Sequence, residues 1–209
     1  MKISRSFLIA VSVVLTSATL ASAQRGDFYF ALGTARDDAN QDLREYCSIA
    51  YCKGDPVMGG LFGTLGGGFM FNADSTLGVG AEVSFRFAQG DYVDVFSVRP
   101  LFYSFNGIYS PTLGSDRVMA EFQGGIGGVN LRFYGGEGYY DYYTGRYTNY
   151  AGSSNHFQLH AAAGLRFYLS DKVFVRPQID YRYVPNLNQE FKSNSVLQYT
   201  IAIGFSSSP

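Results

Sequence analysis

Polar and apolar residues alternate along much of this chain with a period of two. The clearest stretch is 77–87, where Leu77, Val79, Ala81, Val83, Phe85 and Phe87 share one face and Gly78, Gly80, Glu82, Ser84 and Arg86 the other. That period puts successive side chains on opposite faces of an extended strand, not along one stripe of a helix. Residues 156–170 repeat it, with Phe157, Leu159, Ala161, Ala163, Leu165, Phe167 and Leu169 opposite Gln158, His160, Ala162, Gly164, Arg166 and Tyr168. In 173–183 the two sets are Val173, Val175, Pro177, Ile179, Tyr181, Tyr183 and Phe174, Arg176, Gln178, Asp180, Arg182. Weaker versions over 27–35, 57–71, 95–107, 117–133 and 195–205 bring the predicted strands to eight. Within 117–133 the apolar parity changes from Val118, Ala120 and Phe122 to Val129, Leu131 and Phe133, which predicts a β-bulge near Gly127 and Gly128.

The links alternate as well. Those after the second, fourth and sixth strands are tight (72–76, about 109–116, 170–172), whereas those after the first and fifth are long (35–56 and 134–155). Short turns at one end, long loops at the other and an even strand number describe an outer-membrane barrel with both termini in the periplasm. No apolar stretch after residue 24 approaches the roughly 20 residues of a membrane helix. Alternation alone also fits a soluble barrel with its apolar face inside. The polar face decides the matter. It carries Gly78, Gly80, Gly125, Ala162, Gly164, Ala202 and Gly204 among arginines and carboxylates, with no mid-strand lysine, which suits a narrow lumen and not a soluble exterior. The predicted fold is all-β: an eight-stranded antiparallel up-and-down transmembrane β-barrel.

Composition agrees, with 25 Gly, 17 Tyr, 18 Phe and no Trp. Residues 1–23 read as a signal peptide: Lys2 and Arg5, an apolar run from Phe7 to Leu20, then Ala21-Ser22-Ala23 before Gln24. Residues 24–209 are then the barrel domain. Removing Lys2 and Arg5 from 16 basic residues leaves 14 against 17 acidic ones, a formal charge of -3 that offers no basic surface to nucleic acid.

The chain ends Gln198-Tyr199-Thr200-Ile201-Ala202-Ile203-Gly204-Phe205 before Ser206 to Pro209. With the strand pattern, this ending resembles the small OmpA/OmpX-like and opacity-type outer-membrane barrels, whose closing strand finishes on an aromatic that the assembly machinery recognises. Here four residues follow that aromatic. The resemblance implies export to the periplasm, residence in the bacterial outer membrane, contact with its lipid and lipopolysaccharide, and insertion by the outer-membrane assembly machinery. Members of the group include adhesins, envelope stabilisers and lipid A enzymes, so the resemblance does not choose among roles.

The inward face should gather Glu82, Arg86, Arg99, Glu121, Arg166, Arg176, Asp180 and Arg182, which must pair across the lumen because an unpaired buried charge costs several kcal/mol. A plugged polar lumen is the expected outcome, a narrow pore the alternative. Cys47 and Cys52, the only cysteines, fall in the first outside loop of an exported chain and suit a short disulfide. The third outside loop carries Tyr139, Tyr140, Tyr142, Tyr143, Tyr147 and Tyr150 among glycines, a composition that serves a surface ligand or extends the adjoining strands. Asp37, Asp38, Asp42 and Glu45 lack a calcium-loop pattern, and Gly66-Gly67-Gly68 lacks the Lys-Ser/Thr of a phosphate loop, so no metal or cofactor is expected. His156 and His160 lie roughly 13 Å apart along a strand, too far to act on one atom. Ser153, Ser154 and His156 are the sole candidates for a lipid A-modifying enzyme. The expected role is therefore a non-enzymatic structural or adhesin-like surface protein acting through its outside loops.

Overall fold

The computed structural model describes residues 25–37, 59–71, 76–93, 96–115, 117–142, 145–189, 191 and 193–207. They form β1 (Arg25–Asp37), β2 (Leu61–Met70), β3 (Leu77–Arg86), β4 (Gly90–Val93), β5 (Phe96–Tyr109), β6 (Thr112–Ser115), β7 (Val118–Asp141), β8 (Arg146–Tyr168), β9 (Val173–Tyr183) and β10 (Ser195–Ser206). Eight of them run β1-β2-β3-β5-β7-β8-β9-β10 and back to β1, every pair antiparallel, so the sheet closes on itself. The short β4 and β6 are side pieces on β5 and β7. Closure leaves no edge in the wall, the condition for a sheet that meets hydrocarbon. Residues 1–23, where a signal peptide is expected, and the loop holding Cys47 and Cys52 lie outside the described residues.

Alternation sends the apolar set outward. Phe28, Leu65, Val83, Phe105, Ile126, Phe157, Ile179 and Ile201 are all exposed on the wall, Phe105 at 69%. On β8 this band runs from Phe167 up to Phe157, and ten residues at about 3.3 Å tilted by about 40° give a height of about 25 Å, the apolar thickness of an outer-membrane barrel. Among the described residues no helix is long and apolar enough to cross a membrane; these strands do the crossing.

The bulge expected near Gly127 and Gly128 is absent. Pairing runs unbroken from Phe105↔Ile126 to Phe102↔Val129 on one side of β7 and from Ile126↔Leu159 to Val129↔His156 on the other. The parity change has a different cause: Val129 and Leu131 keep the inward parity of Glu121 and Gln123 and are buried. They join Ala35, Phe62, Val98, Phe102, Val184, Leu187, Phe191 and Val196 in an apolar cluster at the long-loop end of the lumen. Val184, Leu187 and Phe191 come from the link between β9 and β10, which folds over the opening around a short 3-10 turn (Leu187–Gln189). Its own bonds, Val184 N–H to the Asn194 carbonyl at 2.7 Å and Phe191 N–H to the Leu187 carbonyl at 2.7 Å, hold the cap shape. Burying each such side chain contributes about 1.5–3 kcal/mol.

Small residues inside make room for large ones. At Gly66 a Cβ would collide with the Tyr29 ring, and at Gly204 with the Phe174 ring. Tyr29, Ala31, Phe174 and Ala202 thereby pack together near the short-turn end.

Candidate functional site

Below the apolar cluster at the long-loop end, and interleaved with Tyr29 and Phe174, lies a belt of ionised groups carried by β1, β3, β7, β8 and β9. Near the short-turn end, Arg166 on β8 donates to Asp27 on β1 and to Glu121 on β7, and Arg176 on β9 donates to the other oxygen of Glu121. Higher up, Arg182 reaches Glu82 on β3 at 2.7 Å, and the Tyr29 hydroxyl donates to the second Glu82 oxygen at 3.0 Å. His160 Nε2 faces Asp180 at 3.0 Å and Glu82 at 3.6 Å, while Nδ1 faces Asn106 Oδ1 at 2.9 Å. Each guanidinium also lies on a ring: Arg176 over Tyr29 at 3.9 Å, Arg166 over Phe174 at 4.3 Å and Arg182 over Phe102 at 5.1 Å. An arginine offers five donors in a plane, so carboxylates at its edge and an aromatic at its face satisfy it where water is scarce.

Six of the eight predicted lumen charges meet here: Glu82, Glu121, Arg166, Arg176, Asp180 and Arg182. Arg86 has inward parity and lies at the upper rim, its guanidinium against Gly60 and Gly90. Arg99 departs from the expected face. Its neighbours Val98 and Phe102 fill the inward positions, so Arg99 points outward and donates from Nε to the Arg86 carbonyl at 2.8 Å. Asp27 and Arg25 are the members that sequence reasoning missed, and His160, expected on the lumen face but outside the charge set, joins them; Asp27 was legible as the inward neighbour of Phe28. Arg25 lies 3.3 Å from Asp27, so Asp27, Glu82, Glu121 and Asp180 face Arg25, Arg166, Arg176 and Arg182, four charges of each sign. Donor atoms of Glu82, His160 and Asp180 lie within 4.8 Å of one another, compact enough for a cation, but Arg182 already supplies positive charge at Glu82.

A second feature stands above the wall. β7 pairs with β5 only as far as Gly135↔Phe96, and β8 pairs with β9 only from Leu159↔Tyr183 downward, yet β7 and β8 continue together to Asp141↔Arg146. The result is a two-stranded ribbon that outruns the barrel. Along 146–158 the β9-side edge of β8 has no strand beside it among the described residues. Tyr140 packs edge-on against Tyr142 and Tyr147 at the tip, and Tyr142 and Tyr147 are 89% and 79% exposed. Tyr150 packs against Tyr134 lower down, Tyr139 is paired with Thr148, and Tyr143 lies outside the described residues. At the ribbon's base Ser154 Oγ lies 3.3 Å from His156 Nε2, both on the inward parity of Gln158.

No protein-family model matches the chain, and no curated protein matches it. Solved structures do. A major outer membrane protein from Thermus thermophilus superposes with a TM-score of 0.57 at 13% identity, over 88% of this chain and 99% of that one. Neisserial surface protein A gives 0.54 at 12%, over 90% and 98%. The fold is that of a small outer-membrane β-barrel. Ail, the attachment invasion locus protein of Yersinia pestis, gives 0.52 at 13%, over 88% and 99%, in a crystal holding the heparin analogue sucrose octasulfate. At these identities the likeness is one of architecture.

Proposed function

We propose that this chain is an integral protein of the bacterial outer membrane whose lumen is a structural plug and whose β7–β8 ribbon engages a partner at the cell surface. The carrying observation is that β8 outruns β9: their pairing begins at Leu159↔Tyr183, and no strand lies on that side of 146–158 among the described residues. An exposed strand edge is a template for strand addition, and proteins that need to avoid this place lysine, proline or inward charge there. Residues 147–155 read Tyr-Thr-Asn-Tyr-Ala-Gly-Ser-Ser-Asn, with none of these devices. Exposed tyrosines at the tip supply contact area at low side-chain entropy. Residues 1–23 export the chain, and β10 with its Phe205 presents the closing strand to the assembly machinery. Deleting 138–150 tests the role: adhesion to a surface or partner should vanish while heat-dependent migration on a denaturing gel shows an intact barrel. Unchanged adhesion would reject the ribbon as the contact.

The Ser154–His156 contact favours a second reading, a lipid A-modifying hydrolase. Both side chains share the inward parity and turn away from the lipid wall, which is why the non-enzymatic reading is preferred. Mass spectra of lipid A with and without expression separate the two, and a shifted lipid A mass that Ser154→Ala abolishes would establish the enzyme.

A further inference from the structure

Just above the apolar band, β5 and β7 carry two arginines that neither the plug nor the ribbon uses. Arg99 on β5 and Arg132 on β7 are direct cross-strand partners, and both point outward. Directly opposed side chains lie about 5 Å apart at Cβ, and like charges there destabilise the sheet. Among the described residues, neither arginine forms an ion pair with a carboxylate. Each is tied down at Nε alone, Arg99 to the Arg86 carbonyl at 2.8 Å and Arg132 to Asn130 Oδ1 at 3.0 Å. Asn130 in turn donates to Asn155 Oδ1 on β8 at 2.9 Å. The terminal nitrogens of both guanidinium forks are thus oriented and given to no acceptor among the described residues.

What lies beneath identifies the occupant. The row below Arg99↔Arg132 is Leu101↔Asn130↔Asn155, and the next is Tyr103↔Gly128↔Phe157. Tyr103, Ile126 and Phe157 are exposed apolar wall, and the absence of a Cβ at Gly128 lets the Tyr103 hydroxyl lie across β7. Arginine forks, an asparagine amide and a tyrosine hydroxyl therefore sit within two residue rows of hydrocarbon-facing side chains, at the depth of lipid headgroups. Phosphate oxygens accept the bidentate arginine fork, and two such forks neutralise a phosphate monoester that bridges them.

We infer that Arg99 and Arg132 form a site for the phosphate of an anionic lipid in the outward-facing leaflet, whose acyl chains lie along Tyr103, Ile126 and Phe157. The inference rests on the membrane reading and is independent of what the ribbon binds. The test uses the folded full barrel in nanodiscs of phosphatidylcholine with a minor fraction of phosphatidic acid, and counts lipids retained on the protein by native mass spectrometry. Wild type should retain phosphatidic acid enriched by about tenfold over the bulk ratio. R99Q/R132Q should fall to the bulk ratio while heat-dependent gel migration stays normal, and R99K/R132K, which keeps both charges without the forks, should keep part of the enrichment. Equal enrichment in wild type and R99Q/R132Q, or none in wild type, would overturn the site. Displacement of the lipid by inorganic phosphate at equal concentration would overturn a lipid as its ligand.

Discussion

Glu121 is the group on which the lower charge belt turns. It is 1% exposed and accepts from Arg166 and Arg176, with Gln123 Nε2 adding a bond at 2.7 Å. Glu121→Gln keeps the shape and removes the charge. Arg166 retains Asp27, whereas Arg176 retains only the Tyr29 ring and the Tyr29–Glu82 pair beyond it. Removing one partner of a buried pair costs about 3–5 kcal/mol. The glutamine carbonyl still accepts one bond, which returns about 1 kcal/mol. The expected loss is about 2–4 kcal/mol, or about 30- to 900-fold in the unfolding equilibrium.

The double variant Glu121→Gln/Arg176→Met decides whether charge is the cause. With no orphan cation left inside, most of the loss should return, because replacing both members of a buried pair by uncharged groups is often neutral. Urea titrations in lipid vesicles can follow the fraction that migrates as the compact form, since the chain has no tryptophan to report. The coupling between the two sites should be opposite in sign to their individual costs. If the double variant loses the sum of the two single losses, the pairing argument fails and the belt is held by packing.

The remaining expectations use other parts of the barrel. Gly66→Ala should cost about 1–3 kcal/mol by driving the Tyr29 ring off its seat, whereas Gly107→Ala, outward with its nearest neighbour at 3.7 Å, should stay within about 0.5 kcal/mol in the same titration; equal effects would contradict the assignment of faces. Planar-bilayer recordings should show no discrete conductance steps, because the belt and the apolar cap both block the lumen; stable channels would reject the plug. Protein purified without reductant should show no reactive thiol at Cys47 or Cys52 and should begin at Gln24, with thiol counting and N-terminal sequencing as the readouts; two reactive thiols or an uncleaved start would refute the respective expectation.

Strand number and wall orientation were legible because alternation is a local signal repeated in every segment, and the closed sheet reproduces it strand by strand. Most lumen charges followed from the same rule, since Glu82, Arg166, Arg176, Asp180 and Arg182 sit between residues that face lipid. The rule failed at Arg99 and at the supposed bulge for one reason. Both readings assumed that apolar means outward along the whole strand, and that holds only where hydrocarbon surrounds the barrel. The cap built from Val184, Leu187 and Phe191 has no period to find, because its order comes from covering an opening.

Where the strands leave the membrane, the preference of each face reverses. On β7 the outward residues change from Phe122 and Ile126 to Asn130 and Arg132, while the inward ones change from Glu121 and Gln123 to Val129 and Leu131. On β8 the outward face turns from Phe157 to Asn155 and Ser153, on β5 from Tyr103 and Leu101 to Arg99, and on β1 from Leu32 to Thr34 and Arg36 beside an inward Ala35. Below the reversal, lipid wets the outside and the inside must be polar small residues and paired charge; above it, water wets the outside and the inside must be sealed by apolar contact. A parity switch with no break in the hydrogen-bond ladder therefore marks depth, and on β5 and β7 it falls at Arg99 and Arg132. The same solvent change that hid Arg99 from the alternation rule places it at the long-loop end of the wall, at a level where a guanidinium can meet a lipid phosphate.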